Sequence, residues 1–262
     1  MDRLVRRLIA FPCVGETLIG TLDEAAGKAG LLIVSGGNEI RVGAYRGMAL
    51  LAAGLAEQGV PVFRFDRRGI GDSSGANRGW RHSAEDIAAA AATFAAETGV
   101  TRLIAFGNCD AATALALYRQ AAGIDGLILA NPWTGDEPDA LPPAGAIRSH
   151  YARRLRDPAT WRRALRGGVN FTKLLRGLKK SSAARPEQRS PIAGEMAAAL
   201  GDTVRTVLLA VKDNTAARYR EAFPVPLPGE QRVEHDSASH SFARIEDQRW
   251  LFEQVSAAMS QR

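Results

Sequence analysis

The stretch from Leu103 to Tyr118 constrains the chain more than any other. An apolar run, Leu103-Ile104-Ala105-Phe106, breaks off at Gly107-Asn108-Cys109-Asp110-Ala111, and a helix-forming run from Ala112 to Tyr118 begins at once. A buried strand must therefore hand over to a helix within a turn centred on Cys109. Such a turn strains the backbone of its central residue, so the residues two positions away must be small. Gly107 and Ala111 meet that need. Cys109 then projects from a strand end toward which the next helix directs its positive N-terminus, an arrangement that favours a thiolate. The backbone N–H of Asp110 is placed to donate to an oxyanion. A free cysteine in a strand core is more often an inert packed side chain, and the rest of the chain decides between the two.

That remainder alternates strands with helices. Arg6 to Pro12 and Glu16 to Asp23 read as a hairpin turning at Val14-Gly15, with Cys13 at the turn and no chemistry assigned to it. A buried strand, Gly30 to Ser35, runs into Gly36-Gly37-Asn38, where the glycines let the backbone approach a bound group and turn N–H groups inward. A plain strand-to-helix turn would look the same. A helix from Gly47 to Gln58 and a strand from Val60 to Phe65 follow. The loop Asp66-Arg67-Arg68-Gly69-Ile70-Gly71-Asp72-Ser73 and a helix from Ser83 to Thr98 come next. Beyond Tyr118, strands are expected at Leu127–Pro132, Val204–Val211 and Gln231–His235, with helices at Ala216–Phe223 and Ile245–Met259. This rhythm predicts an α/β domain with a mostly parallel, doubly wound sheet.

Between Thr134 and Thr203 the rhythm breaks. Short helices are expected from Asp157-Pro158, from Asn170 (Phe171, Leu174, Leu175 and Leu178 on one face) and from Ser190-Pro191 to Leu200. The expected organisation is a core of residues 1–134 and 201–262 with a helical lid inserted at 135–200. Thirteen Lys and Arg residues lie between Arg148 and Arg189, opposed only by Asp157 and Glu187. The plainest reading is an amphipathic cover whose basic face meets water; an anionic substrate and a membrane surface are the alternatives.

At 262 residues the chain suits one domain. Two cysteines and four scattered histidines suggest neither a disulfide framework nor a metal cluster, and no cofactor or nucleic-acid motif stands out. No run reaches the ~18 apolar residues of a membrane span, and the basic start carries too short an apolar run for a signal peptide. A cytoplasmic protein acting on a small molecule is expected, of open oligomeric state.

Three residues each lie just past an expected strand end, in the order Cys109, Asp213, His240. Strand carboxyl ends share one edge of a parallel sheet, so the three can converge. His240 would exchange a proton with the thiol and Asp213 would orient the imidazole. Among rivals, His235 falls within the last strand, and His82 and His150 fall in the wrong segments. Asp202 precedes its strand and Asp236 follows the last one. Asp136, after the strand that follows Cys109, is the second choice of acid.

Gly107-Asn108-Cys109-Asp110-Ala111 resembles the nucleophile elbow of α/β-hydrolases, G-x-S-x-G, with Cys for Ser and Ala for the last Gly. Asp66-x-Arg68-Gly69-x-Gly71-x-Ser73 resembles their strand-4 loop, whose Asp and Arg pin neighbouring loops rather than react. More narrowly, Gly36-Gly37-Asn38 with Arg41-Val42-Gly43 and Arg46, Arg64-Phe65-Asp66, the pair Cys109-Asp110 and Asp213-Asn214-Thr215-Ala216 resemble the type-one hydrolase associated with exosortase A systems. Asn38, where Pro is expected, and Ala111 depart from that pattern without removing a reactive group. The resemblance implies an α/β-hydrolase fold with a lid, no cofactor and the nucleophile–acid–base order. It also implies backbone oxyanion donors at Gly37 and Asn38 beside that of Asp110. The resemblance also implies a link to exopolysaccharide and protein sorting but names no substrate; the Cys109-His240-Asp213 set is expected to hydrolyse an ester or thioester of a small acyl substrate. Acyl transfer through the same thioacyl-enzyme and a non-catalytic scaffold are the alternatives.

Overall fold

A computed structural model describes residues 5–135 and 190–260. Eight strands form one sheet in the order β1-β2-β4-β3-β5-β6-β7-β8. They are β1 (Arg6–Cys13), β2 (Glu16–Asp23), β3 (Ala29–Val34), β4 (Val62–Phe65), β5 (Arg102–Asn108), β6 (Gly126–Ala130), β7 (Arg205–Ala210) and β8 (Glu230–His235). β1 and β2 pair antiparallel, as do β2 and β4, and every other pairing is parallel. The β1–β2 turn puts both Val14 (φ 49°) and Gly15 (φ 78°) in the left-handed region, the twist a two-residue hairpin needs.

Six described helices cover the sheet: α1 (Gly47–Glu57), α2 (Ala84–Thr98), α3 (Asp110–Tyr118), α4 (Pro191–Leu200), α5 (Asn214–Ala222) and α6 (Ile245–Ser260). Alternate strand residues divide between the two faces. Leu32, Val34, Ala105, Leu129 and Leu209 pack against α2, α3, α4 and α5 through Ile87, Phe94, Leu115, Met196 and Tyr219. Leu31, Ile33, Phe106, Ile128 and Leu208 pack against α1 and α6 through Leu51, Leu55, Leu251 and Val255. Strands buried on both faces explain the continuous apolar runs in the sequence. No described helix is long and apolar enough to cross a membrane.

Most of the expected lid, residues 136–189, lies outside the described residues, and with it Asp136, His150 and the basic run. The helix expected to end the lid is different. In α4, Ile192, Ala193, Met196 and Leu200 are buried, and the helix packs beside α3 in the core. An apolar stripe at helical spacing serves a cover or a core equally well, and here it closes over α3. The core therefore resumes at Ser190, whose side-chain oxygen caps the helix by accepting from the Ala193 N–H at 3.3 Å.

The loop after β4 acts as structural glue. The Asp66 carboxylate accepts from the Arg41 backbone N–H at 2.6 Å, the Asp72 N–H at 3.1 Å and the Arg41 guanidinium. Arg64, buried in β4, donates to Asp23 at 3.0 Å and to the Arg41 carbonyl at 2.8 Å. Burial pulls its pKa down, and the Asp23 charge works against that shift. These contacts fix the middle of the Gly36–Arg46 loop, at Arg41, relative to the sheet.

Candidate active site

The strand register brings the loops to one edge. Val34 lies opposite Gly107, Asn108 opposite Ala130, Ala130 opposite Leu208, and Ala210 opposite His235. The residues that follow each strand therefore meet at the carboxyl edge of the sheet.

Cys109 sits between β5 and α3 with φ 59° and ψ −126°, a conformation costly for any residue with a side chain. Its surroundings hold it there. Its N–H donates to the Ala130 carbonyl at 3.0 Å, and its carbonyl accepts from the Trp133 N–H at 3.1 Å. A Cβ on Gly107 would lie 2.9 Å from backbone atoms of Ala111 and Ala112, which is why only glycine fits where the strand passes beneath the helix start. Cys109 is half-buried and is a free cysteine, as is the buried Cys13.

Asp213 ends the chain segment after β7 and caps α5. Its Oδ2 accepts from the N–H groups of Thr215 at 2.9 Å and Ala216 at 3.1 Å, and it lies 3.1 Å from His240 Nδ1. Burial opposes the Asp213 charge, but the His240 hydrogen bond, the His240 charge and the two N–H groups outweigh it and hold the carboxyl below its ordinary value. His240 in turn is pushed up to about 10 by hydrogen bonds to Asp213 and then Cys109, against the effect of burial. His240 Nδ1 thus faces the Asp213 carboxylate, and Asp213 and Cys109 together favour the protonated imidazole. Burial also pushes the Glu39 carboxyl up, and the Ala44 N–H and the His240 charge partly offset this.

The His240 loop is held by groups the sequence did not single out. Asn108 Nδ2 and Asn131 Nδ2 both donate to the His240 carbonyl, at 3.1 and 2.9 Å. Asn131 Oδ1 accepts from the Ala210 N–H at 2.8 Å, tying the ends of β6 and β7 to the base loop. The available signal was an asparagine at the carboxyl end of each of two neighbouring strands. Of the rival histidines, His235 stacks on Trp250 at 4.5 Å and bonds to Asp247 at 2.8 Å, away from Cys109. His82 is exposed and bonds to the Arg78 carbonyl.

The expected oxyanion donors need one correction. The Gly37 N–H does not face an open position: it donates to Asp110 Oδ1 at 2.7 Å, and a carboxylate at that distance occupies it. The N–H groups of Asn38 and Asp110 have no partner among the described residues. The Asp110 N–H is also one of the donors that a helix start leaves unbonded within the helix.

The fold has well-known company. It is similar to a proline iminopeptidase from Mycobacterium smegmatis (14% identity, 97% of each chain covered, TM-score 0.61). It is also similar to the esterase Pf2001 of Pyrococcus furiosus (15% identity, 97% of this chain and 91% of that one, TM-score 0.64). A third likeness is a hydrolase from Pseudomonas aeruginosa (20% identity, 97% and 99% covered, TM-score 0.59). No curated protein sequence matches significantly. The sequence profile described as serine aminopeptidase, S33 matches residues 26–207, from before β3 into β7. The chain belongs to that hydrolase family, within the α/β-hydrolase superfamily.

Proposed function

We propose that this protein is a cysteine-dependent acyl hydrolase in which Cys109, His240 and Asp213 act together on an ester or thioester. The observation that carries the reading is His240 Nδ1 at 3.1 Å from the Asp213 carboxylate, with Cys109 the second group that raises the imidazole's pKa. A scaffold has no need of such a relay.

The Cys109 sulfur attacks the acyl carbonyl, forming a C–S bond and pushing charge onto the carbonyl oxygen. The backbone N–H groups of Asp110 and Asn38 receive that oxyanion. As the intermediate collapses, the bond to the leaving group breaks and His240 gives it a proton. The sulfur of the resulting thioester is uncharged, so one of the two bonds that raise His240 is gone. The neutral imidazole then takes a proton from water as the water oxygen attacks the thioester carbonyl. Collapse expels the Cys109 sulfur, releases the acid and restores the pair. Asp213 keeps the imidazole oriented throughout and stabilises its charged form.

The family resemblance alone extends the proposal to exopolysaccharide or exosortase-linked chemistry; a cytoplasmic location, a small acyl substrate and independence of a cofactor are further parts of the proposal. The basic run that suggests an anionic substrate lies outside the described residues. The test is trapping of the intermediate. Purified protein mixed with p-nitrophenyl acetate and with acyl thioesters is quenched in acid, and its intact mass is measured. Acyl mass on Cys109, absent in Cys109→Ala and slow to clear in His240→Ala, supports the reading. Turnover that survives in Cys109→Ala contradicts it. Products formed with amines or hydroxyl acceptors in preference to water would reassign the same intermediate to acyl transfer.

A further inference from the structure

We propose that the Asp110 carboxylate and the Arg67 guanidinium are positioning groups that set the second oxyanion donor, the Asn38 N–H, against Cys109. This rests on the hydrolase reading above and assigns to two side chains a role that the elbow motif does not contain.

The two grip adjacent peptide units. Asp110 Oδ1 accepts the Gly37 N–H at 2.7 Å, fixing the peptide between Gly36 and Gly37. Arg67 Nη2 donates to the Gly37 carbonyl, fixing the next peptide, between Gly37 and Asn38. In a planar trans peptide the N–H points away from the carbonyl oxygen. Holding the Gly37 oxygen from the Arg67 side therefore sets the direction of the Asn38 N–H. The Asn38 side chain is tied down as well, its Oδ1 accepting from Asn77 Nδ2 at 2.8 Å.

The loop also lies hard against the elbow. A Cβ on Gly36 would come within 2.5 Å of the Asn108 carbonyl oxygen, 2.9 Å of Asp110 Oδ1 and 3.4 Å of the Cys109 Cβ. Glycine is thus required by approach to the nucleophile and its neighbour. Arg67 is buried, and Asp110 and Asp86 supply the opposing charge that such a cation needs. Asp110 thereby does two things: its N–H is the first oxyanion donor, and its carboxylate anchors the loop that carries the second. At the first position of α3 its charge also suits the helix N-terminus.

Two probes separate this role from a merely structural one. Acylation of Cys109 by p-nitrophenyl acetate passes through an oxyanion, whereas alkylation by iodoacetamide displaces iodide directly and forms none. Both rates are measured in wild type, Asp110→Ala, Asp110→Asn and Arg67→Met, at a pH where alkylation has levelled off. Loss of one oxyanion donor costs ~10²–10³ in rate, so mispositioning it is expected to slow acylation by roughly 10–100-fold in Asp110→Ala and in Arg67→Met. Alkylation should stay within about two-fold, and Asp110→Asn, which still offers Gly37 an acceptor, should recover most of the acylation rate. Unchanged acylation in Asp110→Ala overturns the proposal, as does an equal fall in both rates. Should Asp110→Ala fail to fold, Arg67→Met tests the same loop from its other side. A wild-type protein that is alkylated at Cys109 but never acylated instead removes the hydrolase reading, and this proposal with it.

Discussion

Asn131 offers the sharpest test of how the site is held together. It follows β6, is fully buried, and sits at φ 40°, where asparagine is tolerated better than most residues. Replacement by Gly keeps that backbone available and removes only the amide. Two bonds then go: Ala210 N–H to Oδ1 at 2.8 Å and Nδ2 to the His240 carbonyl at 2.9 Å. The His240 carbonyl keeps Asn108 as a partner, so its loss is that of an ordinary hydrogen bond, ~0.5–1.5 kcal/mol. The Ala210 N–H is left buried and unpaired, which costs ~1–3 kcal/mol. The sum is about 1.5–4.5 kcal/mol. At ~2–4 °C per kcal/mol for a chain of this size, Asn131→Gly should melt roughly 10 °C below wild type by circular dichroism. Asn131→Ala should melt lower still, because it adds the strain of a left-handed alanine. Asn131→Gly within 1 °C of wild type would refute the bridging role, and Asn131→Ala equal to Asn131→Gly would refute the strain.

Other outcomes follow from the same contacts. Gly107→Val should destabilise by about 1–3 kcal/mol or prevent folding, because the new side chain meets the backbone of α3 at 2.9 Å; normal melting and normal Cys109 reactivity would contradict this. Cys13, buried and bonded to Asp86 at 3.5 Å, has its pKa pushed up to about 11, chiefly by burial. It should therefore resist iodoacetamide in the native protein at neutral pH, as peptide mapping can check. Folded His240 holds its proton more tightly than the unfolded chain, whose imidazole titrates near 6.5. The resulting stabilisation is whole below about 6.5 and is lost as pH rises through about 10. The difference in melting temperature between wild type and His240→Gln should thus fall between pH 7 and 10, and a constant or growing difference would speak against the pairing.

Much of this was legible in the residues because strain and capping leave local marks. The elbow demands small neighbours, and Gly107 and Ala111 stand in sequence beside Cys109. Asp213 reads as a residue between a strand and a helix, and it is the cap of α5. The alternation of apolar runs with helical segments implied a mostly parallel sheet, and the sheet has that form. What escaped was carried by contacts between distant segments. Ile192, Met196 and Leu200 look the same whether their helix covers a pocket or fills a core, and only packing beside α3 assigns α4 to the core. The Gly37 N–H looked available because nothing nearby in sequence accepts it; its partner, Asp110, lies 73 residues away. The amides of Asn108 and Asn131 reach across 132 and 109 residues to His240, a distance no local pattern encodes.

The central claim is that Cys109 works as a sulfur nucleophile paired with His240. It is tested most directly by the rate of iodoacetamide labelling from about pH 5 to 9 in wild type and His240→Ala, with the labelled residue located by mass spectrometry. The account predicts rapid labelling of Cys109 at pH 6 that is lost, or moved to higher pH, when His240 is removed. Labelling that rises only near the ordinary thiol pKa of about 8.5, and identically in both proteins, would contradict it.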